Sequence, residues 1–115
     1  MDKLASYRDI IKALIREIDS WIPAEDGDVR QYAIIDDEGG HYLLYCTGWE
    51  GEVKGYVYGA TIHFDLMPDG KVWLQHNGTD LKVASMLVER GIAREDIVLG
   101  FHAPYMRQFT EFAAG

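Results

Sequence analysis

The chain has 115 residues, with 19 acidic and 11 basic side chains and a formal net charge of -8. This length is typical of one domain with a single core, and a hydrophobic fraction of 48% excludes a disordered chain. The acidic charge repels the phosphates of nucleic acids and of anionic membranes. Composition therefore argues against an independent DNA-binding protein and against a protein of anionic membrane surfaces.

The cysteine content and the amino-terminal residues bear on location. Cys46 is the single cysteine, so neither an internal disulfide nor a cysteine pair for metal binding is available. Charged residues within the first nine positions interrupt any apolar stretch of the length that a signal peptide or a membrane span needs. We expect a cytoplasmic protein with no membrane association.

The first predicted element is a helix. Apolar residues recur at steps of three and four from Leu4 to Trp21, which is typical of one helix face. Asp2 is placed to cap this helix, and Pro23 and Gly27 are predicted to end it. The apolar stripe is wider than a coiled-coil seam, so we expect the helix to pack across a sheet.

The central part of the chain predicts a sheet. Alternating apolar residues bounded by turn residues indicate strands over residues 29–35, 41–47, 56–67 and 71–77, with a short fifth strand over 97–101. Strong turn chemistry at Pro68-Asp69-Gly70 indicates that neighbouring strands form antiparallel hairpins. The prediction is an α+β fold with one domain over residues 1–115.

A second helix is predicted over about residues 80–90, after capping side chains in Asn77-Gly78-Thr79-Asp80. Gly91 is predicted to end it in a Schellman turn that folds Ile92 back onto the helix. Pro104 is predicted to begin a last helical turn that reaches Phe109.

The turn at Pro68-Asp69-Gly70 also predicts a strand register. A type I turn closed by a left-handed Gly70 places Met67 opposite Lys71. The pairs that follow separate into an apolar side and a mixed side, which a slip of one residue would destroy. The apolar side has Leu66–Val72, Phe64–Leu74 and Ile62–His76, and the mixed side has Asp65–Trp73 and His63–Gln75.

The four histidines are the first candidates for metal or acid–base chemistry. His63 and Asp65 project from the same strand face, whereas the register places His76 on the apolar face as a structural histidine. The only combination of zinc ligands would add a distant His102 to His63 and Asp65. We therefore predict that the histidines do not converge, that no metal or other cofactor is bound and that no residue is catalytic.

Other catalytic signatures are missing from the sequence. It has no glycine-rich phosphate loop, nucleophile elbow or zinc-binding helix with paired histidines. Cys46 alternates with Leu44 and Tyr42, which favours a small buried hydrophobe over a thiol nucleophile.

Trp73 on the mixed face and Trp49 in the preceding turn are candidates for an interface. Burial of the same face beneath a helix is the alternative.

Several segments together resemble the XisI family, the cyanobacterial fdxN element excision controlling factor. They are Gly48-Trp49, Ile62-His63, Lys71-Val72-Trp73-Leu74-Gln75-His76, Ile97-Val98-Leu99-Gly100-Phe101-His102 and Thr110-Glu111-Phe112-Ala113. The resemblance covers essentially the whole chain and includes no catalytic signature. It implies a role in excising a DNA element during heterocyst development, beside a separate recombinase and the companion protein XisH.

The residues and the resemblance lead to the same function hypothesis. We predict a non-enzymatic accessory factor for this site-specific recombination that binds a companion such as XisH, self-associates, and does not bind DNA as an isolated chain. The predicted partner surface consists of Trp49, Asp65, Trp73, His102, Tyr105 and Arg107. The alternative is a small hydrolase or nuclease subunit that uses His63, Asp65 and His102.

Overall fold

A computed structural model of the protein describes residues 2–21, 28–51 and 55–115. The first helix, α1, covers Lys3–Trp21. The Leu4 amide donates a hydrogen bond of 3.1 Å to Asp2 Oδ1, which confirms Asp2 as the cap of this helix. Pro23 and Gly27, which were predicted to end α1, lie outside the described residues.

Five strands form one sheet in the order β1-β2-β3-β4-β5. Strands β1 to β4 pair antiparallel with one another in sequence order, and β5 pairs parallel with β4. This arrangement confirms the α+β prediction, and the fifth strand is shorter than predicted. The strands are β1 (Arg30–Asp36), β2 (His41–Trp49), β3 (Tyr56–Leu66), β4 (Val72–Asn77) and β5 (Ile97–Leu99).

The hydrophobic core lies between α1 and one face of the sheet. Phe64 occupies the middle of the core, where it pairs with Tyr42 on β2 and with Leu74 on β4. A short helix, α2 (Val83–Glu89), closes the core at the side of β4 and β5. The core residues with no exposed surface include Ile11, Leu14, Ile15, Ile18, Tyr42, Leu44, Ile62, Phe64, Val72, Leu87 and Ile97.

The hairpin of β3 and β4 begins in the predicted register. Gly70 has a φ of 90°, and the Met67 amide donates to the Lys71 carbonyl at 2.9 Å, as the turn chemistry requires. Leu66 then pairs with Val72, Asp65 with Trp73 and Phe64 with Leu74. The first pairs of the predicted register are therefore confirmed.

Beyond Phe64 the predicted register is wrong because β4 contains a β-bulge. The pairing shifts between His63 and Phe64, so His63 lies opposite His76 and Ile62 opposite Asn77. Gln75 is the extra residue on β4, and an extra residue moves every later side chain to the other face. His76 is consequently exposed, and the prediction of a structural histidine in the core is also wrong.

The second helix is shorter at its start than predicted and is capped differently. Its N-cap residue, Lys82, makes no side-chain capping hydrogen bond. The predicted capping side chains stabilise the preceding loop instead: the Thr79 amide donates to Asn77 Oδ1 at 3.0 Å, and the Leu81 amide donates to Thr79 Oγ1 at 3.1 Å.

A last helix, α3 (Pro104–Arg107), begins at the predicted proline and is shorter than predicted. None of the helices in the described ranges is long and apolar enough to cross a membrane.

The end of α2 confirms the predicted Schellman turn. The Ile92 amide donates to the Leu87 carbonyl and the Gly91 amide to the Val88 carbonyl, each at 3.1 Å. Gly91 has a φ of 113°, a conformation that side chains with a Cβ rarely adopt. Ile92 is buried in the core, so this turn also fixes a core residue.

Replacing Gly91 by alanine is expected to lower the free energy of unfolding by about 1–2 kcal/mol, because a Cβ is strained at this φ. The added methyl group would meet only Ile10 Cδ1 at 3.7 Å, so strain rather than a clash sets the loss. Urea denaturation measures the effect. The exposed Glu89→Ala variant is the control and is expected to change stability by less than about 0.5 kcal/mol. Equal stability of the Gly91→Ala variant and the wild-type chain would contradict the strain argument.

Candidate functional site on the uncovered sheet face

The face of the sheet opposite α1 carries the candidate site. Residues four apart on a strand share a face, so His41, Tyr45 and Trp49 project from the same side of β2. Their neighbours Leu44 and Tyr42 point into the core. This uncovered face therefore brings together polar residues near the start of β2 and aromatic residues near its end.

Aromatic residues line the far end of this face. The ring centroids of Tyr45 and Tyr58 lie 5.4 Å apart, and those of Trp49 and Tyr56 lie 5.3 Å apart, both in edge-on geometry. Tyr58 is 70% exposed and Trp49 is 56% exposed. We call this patch the aromatic surface, and it consists of Tyr32, Tyr45, Trp49, Tyr56 and Tyr58.

A cluster of two histidines and an aspartate lies at the other end of the face. His41 Nδ1 and His63 Nε2 each lie 2.7 Å from the same oxygen, Asp65 Oδ1. Gln75 Nε2 donates a hydrogen bond of 3.1 Å to the other oxygen, Asp65 Oδ2. The prediction that the histidines do not converge is therefore wrong for His41 and His63.

The strand register explains why this cluster forms. His41 is directly opposite Asp65 in the pairing of β2 with β3. His63 precedes Asp65 by two residues on the same strand and so shares its face. Sequence reasoning missed His41 because it gave no register for this strand pair. The alternating strand that follows the Gly39-Gly40 turn was the sequence signal from which the pairing of His41 could have been predicted.

The cluster changes the ionisation of its carboxyl group. Burial by itself would raise the pKa of Asp65, but hydrogen bonds from His41, His63 and Gln75 outweigh burial and place its pKa below the ordinary value. The hydrogen bond to Asp65 raises the pKa of His41. The arrangement thus favours a negative carboxylate flanked by imidazoles.

The remaining residues of the predicted partner surface have different environments. Trp73 is half-buried, with the Arg107 guanidinium 4.8 Å from its ring centroid. Arg107 also donates hydrogen bonds to the carbonyls of His102 and Gly100, at 3.1 and 3.3 Å. Tyr105 is exposed beside them. Arg107 therefore holds the segment after β5 against the sheet.

The cluster differs from the predicted hydrolase site in one residue. Among the described residues, the group that brings ligand atoms within 4.8 Å of one another contains His41, His63 and Asp65, and it does not contain His102. The His102 ring lies 4.7 Å from that of Phe101, between centroids. The structure therefore does not assemble the combination of His63, Asp65 and His102.

Cys46 is half-buried, and its surroundings are more polar than predicted. Its Sγ atom lies 3.2 Å from Thr61 Oγ1 and 3.5 Å from Gln31 Oε1. A register shift of β2 against β3 between Leu44 and Tyr45 precedes it in the strand. The expectation of a small buried hydrophobe is therefore wrong in its burial, because Cys46 is only half-buried.

Known proteins are similar to this chain in both sequence and fold. The family model of the XisI protein matches residues 1–114. A XisI-like protein from Anabaena variabilis ATCC 29413 superimposes with a TM-score of 0.88 at 41% identity, over 97% of this chain and 99% of that chain. The fdxN element excision controlling factor XisI from the same organism superimposes with a TM-score of 0.83 at 35% identity, over 99% of this chain and 100% of that chain. No curated protein matches significantly. The family match over nearly the whole chain confirms the resemblance in the sequence: the chain belongs to the XisI family.

Proposed function

We propose that this chain is a non-enzymatic accessory factor that controls excision of a DNA element by binding another protein. The role in excision rests on the relative whose name is fdxN element excision controlling factor. The binding role rests on the aromatic surface, where Trp49 and Tyr58 are exposed on a sheet face that α1 leaves uncovered. Clustered exposed aromatic residues mark protein interfaces, and tryptophan and tyrosine contribute much of their binding energy.

Charge favours a basic companion. The net charge of -8 attracts a positively charged protein and repels DNA. An XisH-like companion is the partner that family membership suggests, and self-association through the same face would compete with it. The DNA-cutting chemistry would then belong to a separate recombinase, which this chain would regulate through the companion.

The binding experiment compares two tryptophans of similar exposure in different places. Trp49 lies in the aromatic surface, whereas Trp21 is 48% exposed at the end of α1. We expect Trp49→Ala to weaken binding to the purified XisH-like companion at least tenfold, since a central interface tryptophan contributes roughly 2 kcal/mol or more. Trp21→Ala is expected to bind as the wild-type chain does. Calorimetry measures the affinity, and light scattering gives the mass of the complex and of the chain alone.

Two outcomes would contradict the proposal. One is the absence of a complex between the wild-type chain and the companion, together with a strictly monomeric chain. The other is an equal loss of affinity in both tryptophan variants, because that result would show that binding does not depend on the aromatic surface. Circular dichroism of each variant controls for loss of fold.

We also expect the isolated chain to have negligible affinity for duplex DNA at about 0.15 M salt. Nonspecific binding depends on Lys and Arg replacing the counterions of phosphates, and the field of this chain opposes it. In α2, the described residues Val83–Glu89 include no basic side chain that would contact bases as a recognition helix does. A mobility-shift titration tests this expectation. Tight, sequence-selective binding by the chain alone would contradict the accessory role.

A further inference from the structure

We propose that His41, His63 and Asp65 form a binding site for one divalent transition-metal ion of the zinc type. The site is separate from the aromatic surface, and the proposal does not depend on partner binding. It rests on three atoms that can each supply a lone pair: His41 Nδ1, His63 Nε2 and Asp65 Oδ1. All three lie within 4.8 Å of one another.

The distances fit a shared ion. Each imidazole nitrogen is 2.7 Å from Asp65 Oδ1. Zinc binds such atoms at about 2.0–2.2 Å, which separates neighbouring ligand atoms by about 3.3 Å in a tetrahedron. Small side-chain rotations, together with loss of the protons that these two nitrogens donate to Asp65, to solvent or to the other nitrogen of each ring, therefore convert the hydrogen-bonded cluster into a three-ligand site. The fourth position is left to water, because the His41 side chain is 53% exposed and opens the site to solvent.

The surroundings of Asp65 support a cation at this position. Its side chain is only 13% exposed, and no Lys or Arg of the described residues lies within ion-pair distance of it. Its polar side-chain partners are the two imidazoles and the Gln75 amide. A bound metal ion would supply the positive charge beside this carboxylate, with both imidazoles as neutral ligands.

Gln75 supplies the outer support that metal ligands require. Its side-chain amide donates to Asp65 Oδ2, the oxygen that does not face the histidines. This hydrogen bond orients Oδ1 toward the two rings. Gln75 is the extra residue of the β-bulge on β4, so the bulge places this supporting side chain at the site.

The ligand set selects the class of ion. Two imidazoles with one carboxylate suit zinc and neighbouring transition metals, whereas magnesium and calcium prefer sites made only of oxygen. We therefore expect Zn²⁺ to bind and Mg²⁺ not to compete. The lone Cys46 is outside the group, so a Co²⁺ complex should lack the absorption of a thiolate ligand.

The test is isothermal titration of Zn²⁺ into the full, metal-free chain at neutral pH. We expect one Zn²⁺ per chain and a loss of affinity of at least tenfold in His41→Ala, in His63→Ala and in Gln75→Ala, the last through lost orientation of Asp65. His102→Ala is the matched control, because it removes a histidine outside the cluster and is expected to keep the wild-type affinity.

A second readout identifies the ligand atoms. In ¹⁵N spectra of the histidine rings, Zn²⁺ should shift Nδ1 of His41 and Nε2 of His63 and leave His102 unchanged. Circular dichroism without metal establishes that each variant is folded. The proposal is overturned if the wild-type chain shows no saturable Zn²⁺ binding, or if Mg²⁺ competes with Zn²⁺ for the site as an equal. It is also overturned if both His41→Ala and His63→Ala bind Zn²⁺ with unchanged affinity.

Discussion

The Phe64→Ala variant is expected to lose about 3–5 kcal/mol of unfolding free energy, the largest loss that we predict for a single substitution. Phe64 has no exposed surface and lies on the central strand β3. Its cross-strand partners, Tyr42 and Leu74, are themselves buried, so the surrounding residues have little freedom to fill the cavity. The loss is the sum of two free energies: the transfer free energy that burial of the phenyl group contributes, and the cost of the cavity that its removal leaves.

Urea unfolding monitored by tryptophan fluorescence and by circular dichroism measures this loss. The control is Ile34→Ala on the edge strand β1, where the side chain is partly exposed, and it is expected to cost less than about 1 kcal/mol. The two substitutions compare an apolar residue beneath α1 with one on the uncovered face. Equal losses in the two variants would contradict the assignment of the core to the α1 side of the sheet.

The Asp96→Ala variant is expected to lose about 2–3 kcal/mol, because it removes a buried charged acceptor. Asp96 Oδ2 accepts a hydrogen bond of 2.6 Å from the Tyr7 hydroxyl and forms an ion pair of 2.8 Å with Lys3 Nζ. Both partners lie on α1, whereas Asp96 directly precedes β5, so these contacts join the first helix to the last strand. Without Asp96 the buried hydroxyl of Tyr7 loses the acceptor of its proton.

This contribution has a defined pH dependence. Burial would raise the pKa of Asp96, but the hydrogen bonds from Lys3 and Tyr7 outweigh burial and lower it. A carboxyl group with a lowered pKa in the folded state stabilises the fold above its ordinary pKa. That stability is lost as the pH falls through the lowered value. The difference in unfolding free energy between the wild-type chain and Asp96→Ala should therefore have its largest value at pH 7. It should decrease as the pH falls below about 4.

Unfolding curves at several pH values, with the exposed Glu95→Ala variant as control, test both statements. Glu95 neighbours Asp96 in the chain, and its removal is expected to change stability by less than about 0.5 kcal/mol. The double variant Tyr7→Phe with Asp96→Ala should lose less than the sum of the two single losses, because it leaves no buried hydroxyl without an acceptor. Additive losses would show that the two residues do not interact.

Local sequence signals determined the elements that depend on neighbouring residues. The turn at Pro68-Asp69-Gly70 determines the first pairs of β3 with β4 through its backbone geometry alone. In the same way, Gly91 and Ile92 specify the end of α2 within six residues. The apolar period of α1 and the alternation of the strands predicted the helix-on-sheet arrangement, since each pattern leaves one face that must be buried.

The sequence placed His63 and Asp65 on one strand face, but only the tertiary structure brought the other residues of the candidate site to them. Whether Gln75 pairs or bulges depends on the packing of β4 against two neighbours, and this one residue turns His76 outward. His41 and Asp65 are 24 residues apart, and only the pairing of β2 with β3 brings them to 2.7 Å. Trp73 lies under Arg107 because the segment after β5 folds back onto the sheet. Periodicity in a sequence reports the face of a residue within one strand. It does not report which residue of another strand lies opposite, and the chemistry of this face depends on that second relation.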